Sequence, residues 1–158
     1  MIFWSAIASS LHLLSLGLGW PAVLLRARAF AELASAPDNE RWQHWLLWSD
    51  NCWGLISLCW LGSGLWRLFG GLAKPLAWYQ PYGVFWLKMG LIGLLAVLEL
   101  LPMIALLRAR FALQQGQWQP RPQDLRRDAR LSLAEGALIP VIVLVAALMT
   151  RGWHYPGH

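Results

Sequence analysis

From Ile2 to Leu25 the chain runs without a single Asp, Glu, Lys or Arg, and three further apolar runs of similar length follow it. A helix needs roughly 20 mostly apolar residues to cross about 30 Å of hydrocarbon, so this pattern restricts the chain to an integral membrane fold. Composition agrees: of 158 residues, 58% are hydrophobic and 13% charged, with 12 Trp and a mean hydropathy of +0.45. Soluble domains are far less apolar and carry about 25% charged residues. The expected architecture is all-α, an integral membrane four-helix transmembrane bundle forming one domain over 1–158, with spans at about 2–25, 46–69, 84–107 and 131–150. No soluble catalytic domain is legible beside it.

The punctuation between the runs sets the expected boundaries. The first run stops at Arg26 and Arg28. No basic residue precedes it and Trp20-Pro21 stands where a signal peptide would have a small-residue cleavage site, so it reads as a retained helix. Residues 27–43 form a polar connector around Pro37. Gly70-Gly71 and Lys74-Pro75 end the second run, and Pro81-Tyr82-Gly83 restarts the chain into the third. Six Arg residues with Pro120 and Pro122 mark 108–130 as a solvated loop, and 151–158 as a short tail.

Lys and Arg fix the expected orientation. The first and third connectors carry Arg26, Arg28, Arg41 and the six Arg of 108–130, whereas the second connector and the tail carry Arg67, Lys74 and Arg151. The positive-inside rule then puts both termini on the outer side. Trp4, Trp66, Trp78, Trp86 and Trp153 would form one interfacial belt, and Trp20, Trp42, Trp45, Trp48 and Trp118 the other.

A net charge of +5 raises nucleic acid as a partner, but the Arg residues lie between apolar runs and follow no nucleic-acid-binding pattern. The partner indicated is the lipid bilayer. Cys52 and Cys59, seven apart on one helix face, are too far apart to pair and read as packing residues rather than a redox couple. No CxxC, HExxH or other metal-ligand spacing is present. Small residues of the second span, among them Gly54, Ser57 and Gly62, would allow close helix approach or self-association.

Ionisable groups within spans are the functional signal, because each costs at least about 2.5–3.5 kcal/mol on insertion scales and so faces protein, water or a ligand. With antiparallel neighbours they sort into two levels. His12, Arg67 and Lys88 fall in the outer half, and Asp50, Glu99 and Glu135 in the inner half. His12 either ligates a metal such as haem iron, relays protons, or hydrogen-bonds to another helix as a neutral imidazole. Lys88 either snorkels to the headgroups or faces the bundle and binds an anion. Arg67 is an interfacial anchor or a carboxylate-binding fork. Asp50, Glu99 and Glu135 form a proton or ion path, or pair with Arg26, Arg28 or Arg108. His44, His154 and His158 read as surface residues.

The pattern Leu11-His12, Asp50-x-x-x-Gly54, Gly64-x-x-Arg67-x-Phe69, Phe85-Trp86-x-Lys88, Pro102, Glu135, Pro140 and Ala147-Leu148-Met149-x-Arg151-Gly152 resembles a family of small bacterial predicted membrane proteins defined only as a domain of unknown function. The resemblance covers nearly the whole chain and implies a multi-pass protein of the bacterial inner membrane. More distantly, His in span one and Lys in span three are similar to the HemJ-type protoporphyrinogen oxidases and to the membrane domain of CopD-type copper-resistance proteins. The former comparison implies a haem b site with His12 and Lys88 at the matching positions, although Arg26-Ala-Arg28-Ala-Phe30 lacks the His that follows the corresponding exit. A second iron ligand would come from Lys88, from Met89, from a second subunit, or be absent. Copper would require His12 together with Met89, Met103, Met149 or the cysteines at one depth, and Met103 and Met149 fall at opposite ends.

The function expected is tetrapyrrole binding in the outer half for redox chemistry, with Arg67 and Lys88 on the propionates and a membrane redox partner. The alternatives are a proton- or anion-coupled small transporter, an accessory subunit without enzymatic activity, and a purely structural bundle.

Overall fold

A helix that is apolar all round has no side suited to water, and α1 (Ile2–Leu33) is of this kind. The computed structural model describes residues 2–72, 74 and 76–151; Pro75, Trp153, His154 and His158 lie outside the described residues. Those residues are all-helical, with α2 (Glu40–Phe69), a single short turn α3 (Leu76–Tyr79), α4 (Gly83–Gln114) and α5 (Pro122–Thr150) following α1. Three of these helices, α1, α4 and α5, are long and apolar enough to cross a membrane. α2 is as long, at 30 residues, but Asp50, Asn51, Arg67 and six tryptophans dilute its hydropathy.

The helices outrun the apolar runs that predict them. A 32-residue helix rises about 48 Å, well beyond about 30 Å of hydrocarbon, and nothing at the edge of the apolar run stops it. α1 therefore continues through Arg26 and Arg28 to Leu33, and the expected connector over 27–43 shrinks to residues 34–39. The expected solvated loop over 108–130 shrinks likewise to 115–121: Arg108 and Arg110 belong to α4, and Arg126, Arg127 and Arg130 to α5.

Local chemistry places the real ends. Asn39 caps α2, its side chain accepting from the Trp42 amide at 3.3 Å. Gly71 and Gly116 follow α2 and α4 with φ of 68° and 66°, the left-handed region that glycine enters without penalty. Pro122 opens α5, where its missing N–H has no helical partner to lose. Pro21, Pro102 and Pro140 lie inside helices without ending them, as neighbouring helices permit in membrane proteins.

α1 packs on both α2 and α5, α4 packs on α5, and α2 meets α4 only sparsely. Antiparallel pairing follows from the contacts: His12, early in α1, meets Trp60 and Ser63 late in α2, while Arg26, late in α1, meets Asp50 early in α2. The inward face of α1 carries Ala8, His12, Ser15, Gly19, Ala22, Val23 and Arg26, spaced by three or four residues. Its small members bring neighbours close. A Cβ at Gly19 would lie 2.9 Å from the Trp53 ring, and one at Gly136 2.8 Å from Leu24, the tight approach that small residues allow between membrane helices.

Burial runs opposite to that of a water-soluble protein. Arg26 and Glu135 are 0% exposed and Asp128 1%, whereas Leu13, Leu55, Leu58, Phe111 and Leu144 each expose at least 60% of their surface. An apolar exterior around a charged interior is what a lipid solvent selects.

Candidate functional site

His12 is held in one orientation. Its Nδ1 lies 3.0 Å from the Trp60 carbonyl oxygen and 3.1 Å from Ser63 Oγ. A carbonyl only accepts, and the Ser63 hydroxyl itself donates to the same carbonyl at 3.0 Å, so Nδ1 carries the ring proton and donates. In the neutral ring the lone pair then sits on Nε2, which has no hydrogen-bond partner among the described residues. The Trp60 ring stacks beside the imidazole, with ring centroids 5.9 Å apart. A Cβ at Gly64 would stand 3.1 Å from His12 Cε1, so glycine leaves the room that the imidazole occupies.

His12 borders a cavity of about 220 Å³ whose polar lining includes Arg67 and Lys88 and whose apolar lining includes Trp60, Phe85, Met89 and Met149. Among the described residues no carboxylate lines it. Neither Arg67 nor Lys88 has a hydrogen-bond or ion-pair partner among the described residues, and Arg67 Nε is buried without an acceptor. Two like charges therefore share an apolar cavity with an unprotonated imidazole nitrogen. The cavity's wall also draws Tyr79 from the short α3. Met103 is exposed on α4, away from this cavity.

A second polar level is built on Arg26. Its guanidinium grips Glu99 with two bonds, Nη1 to Oε1 and Nη2 to Oε2, each 2.7 Å. It also donates to Glu135 Oε2 at 2.5 Å and to Asp50 Oδ1 at 3.4 Å. Trp53 Nε1 donates to Glu99 at 2.9 Å, and Arg110 ties down the other side of Asp50 at 2.7 Å. The three carboxylates thus converge from α2, α4 and α5 on one arginine of α1. Asp128, also buried, is held separately by Arg127 at 3.0 Å.

An apolar layer of Ala22, Val23, Trp53, Leu95, Ile139 and Ile142 fills the space between the two levels. Another, built on Phe30, Leu33, Leu46, Leu106 and Leu125, closes the far side of the Arg26 cluster. No polar chain links His12 to Arg26 among the described residues, and no group of three or more His, Cys, Asp or Glu side chains is arranged to hold a metal ion.

The residues expected at two levels are accordingly grouped in space as His12, Arg67 and Lys88 on one cavity, and Asp50, Glu99 and Glu135 on one cation. The expected role of Arg26 as a connector charge is corrected: burial places it at the centre of the second group. The signal was its spacing, fourteen residues or nearly four turns after His12, which returns it to the same helix face. Trp53, Trp60 and Ser63 were missed as partners. A tryptophan in an apolar run reads as packing until a neighbour supplies an acceptor for its N–H.

No curated protein and no solved structure matches the chain. Residues 4–154 match a family described as "Predicted membrane protein (DUF2214)". That match spans both polar levels, and the chain belongs to this family of predicted membrane proteins.

Proposed function

We propose that the chain is a four-crossing protein of the bacterial inner membrane, both termini outside, that binds haem b or a closely related anionic tetrapyrrole in the cavity beside His12. The observation that carries this reading is the pairing of an unprotonated His12 Nε2 with two partnerless cations on one apolar cavity. Metal-ligating histidines are typically oriented by donating their other N–H to a carbonyl, as His12 does to Trp60. Arg67 and Lys88 would hold the two propionates, and Met89 or Met149, which line the same cavity, would offer a thioether as a further ligand.

The fit is one of chemistry and of partial enclosure. A cavity of about 150 Å³ holds a benzene ring, so 220 Å³ would enclose part of a tetrapyrrole ring. The remainder would extend through the cavity's open side toward lipid or a second subunit. When bound, haem would supply one-electron redox chemistry; the chain's own residues orient it and neutralise its carboxylates. Four crossings are supported by α2 packing along the full inward face of α1 and by its length. The apolar layer between the two levels favours a binding site over a continuous proton or anion path.

Titrating hemin into the detergent-purified protein tests this directly. A saturable one-to-one complex with a Soret band that shifts on reduction is expected. Lys88→Ala and Arg67→Ala should each weaken it about tenfold or more, the loss of a hydrogen bond to a charged group being worth about 1.5–3 kcal/mol. A spectrum identical to hemin in empty detergent micelles rejects the reading.

A further inference from the structure

Charges around Arg26 do not balance. Arg26 from α1 and Arg110 from α4 face Asp50 from α2, Glu99 from α4 and Glu135 from α5. Two cations meet three carboxylates, and Arg127 nearby is already shared between Asp128 and Asp124 and supplies no spare positive charge. Apolar layers lie on both sides, so no counter-ion among the described residues makes up the difference.

The three acids are not equally supplied with donors. Glu99 receives two bonds from Arg26 and one from Trp53. Asp50 receives Arg26 and Arg110. Glu135 receives a single bond, on Oε2, although its side chain is 0% exposed, and its Oε1 is buried with no partner. An ionised carboxylate accepts at both oxygens, and a bare carboxylate oxygen cut off from water is among the costlier things a protein can bury. Moreover, Glu135 Oε2 and Glu99 Oε2 crowd the same arginine nitrogen, Nη2. Like charges that share one site do not both ionise readily.

We propose that the Arg26 cluster is a proton-binding site, in which one proton taken from water is held by the Glu99 and Glu135 carboxyl pair and resides on Glu135. Binding forms one O–H bond on Glu135 and breaks one in the hydronium ion that delivers the proton, leaving water. It relieves the bare charge on the orphaned Oε1 and brings the cluster to neutrality at two positive and two negative charges. The site is independent of the haem reading, since a layer of apolar side chains separates the two.

Infrared spectroscopy of the full chain in lipid nanodiscs reads this proton directly. At neutral pH the wild type should give a protonated-carboxyl C=O stretch that shifts in deuterium oxide. Glu135→Gln, which keeps the shape and removes the proton, should lose that band. Glu32→Gln, at an exposed pair with Arg28, should retain it. A second measurement needs no variant: raising the pH of the wild type should bleach the band as the pair ionises. A wild type without the band, or a band that survives in Glu135→Gln, overturns the proposal.

Discussion

Arg26→Gln should destabilise the chain by about 3–5 kcal/mol, the loss expected when one partner of a buried ion pair is removed and the other is left behind. Here three acidic side chains lose their shared cation at once, and Arg110 reaches only Asp50 among them. The helix tie is lost as well, because Arg26 is the side chain through which α1 bonds α2, α4 and α5 simultaneously. Arg28→Gln, two residues later, removes an exposed charge 3.6 Å from Glu32, and should change stability by no more than about 0.5 kcal/mol. Thermal unfolding in detergent separates them. Adding Glu135→Gln to Arg26→Gln should restore part of the loss, since residues that share one network do not contribute additively.

His12→Gly should abolish the hemin spectrum outright, and millimolar imidazole should restore it. Glycine deletes the ring and leaves a ring-sized space beside the Trp60 carbonyl and the Ser63 hydroxyl, the two groups that orient Nδ1. Free imidazole can occupy that space with the same polarity. Ser63→Ala removes one of two acceptors and should weaken binding only a few-fold, leaving the Trp60 carbonyl to fix the tautomer. Retention of the wild-type spectrum in His12→Gly, without imidazole, would mean that the iron ligand lies elsewhere.

Much of the fold was legible because lipid imposes a simple rule on length and polarity. Apolar run length anticipated four crossing helices, of which α1, α4 and α5 are apolar enough to cross by composition, and the Gly70-Gly71 break fell where α2 ends. Helix ends at the other boundaries were not legible from hydropathy, since a helix does not stop where hydrocarbon does. It stops at Asn39, Gly116 or Pro122, whose backbone chemistry is local. The grouping of His12 with Lys88 and of Glu99 with Glu135 was accessible from depth, because antiparallel helices of constant rise put residues at computable levels. Pairing of the three acids with Arg26 was among the expectations and is what the structure shows, but its buried position was not expected, because an arginine at the end of an apolar run is ordinarily a topology signal. Its three converging acids, brought from separate helices, show that it is an interior residue. The donor Trp53 and the acceptor Ser63 left no mark at all in the sequence beyond helical spacing.

Everything placed at an outer or inner level depends on α2 crossing the bilayer, and the sidedness of the two connectors that flank α2 tests that most directly. With Cys52 and Cys59 replaced by Ala, single cysteines at Asp38, Lys74 and Gln117 can be labelled in intact cells by a membrane-impermeant maleimide. Four crossings predict that Lys74→Cys is labelled from outside, while Asp38→Cys and Gln117→Cys react only after the membrane is opened. Labelling of Asp38→Cys and Lys74→Cys from the same side would contradict the account, because α2 would then return without crossing and its contacts with His12 and Arg26 could not lie at opposite levels of the membrane.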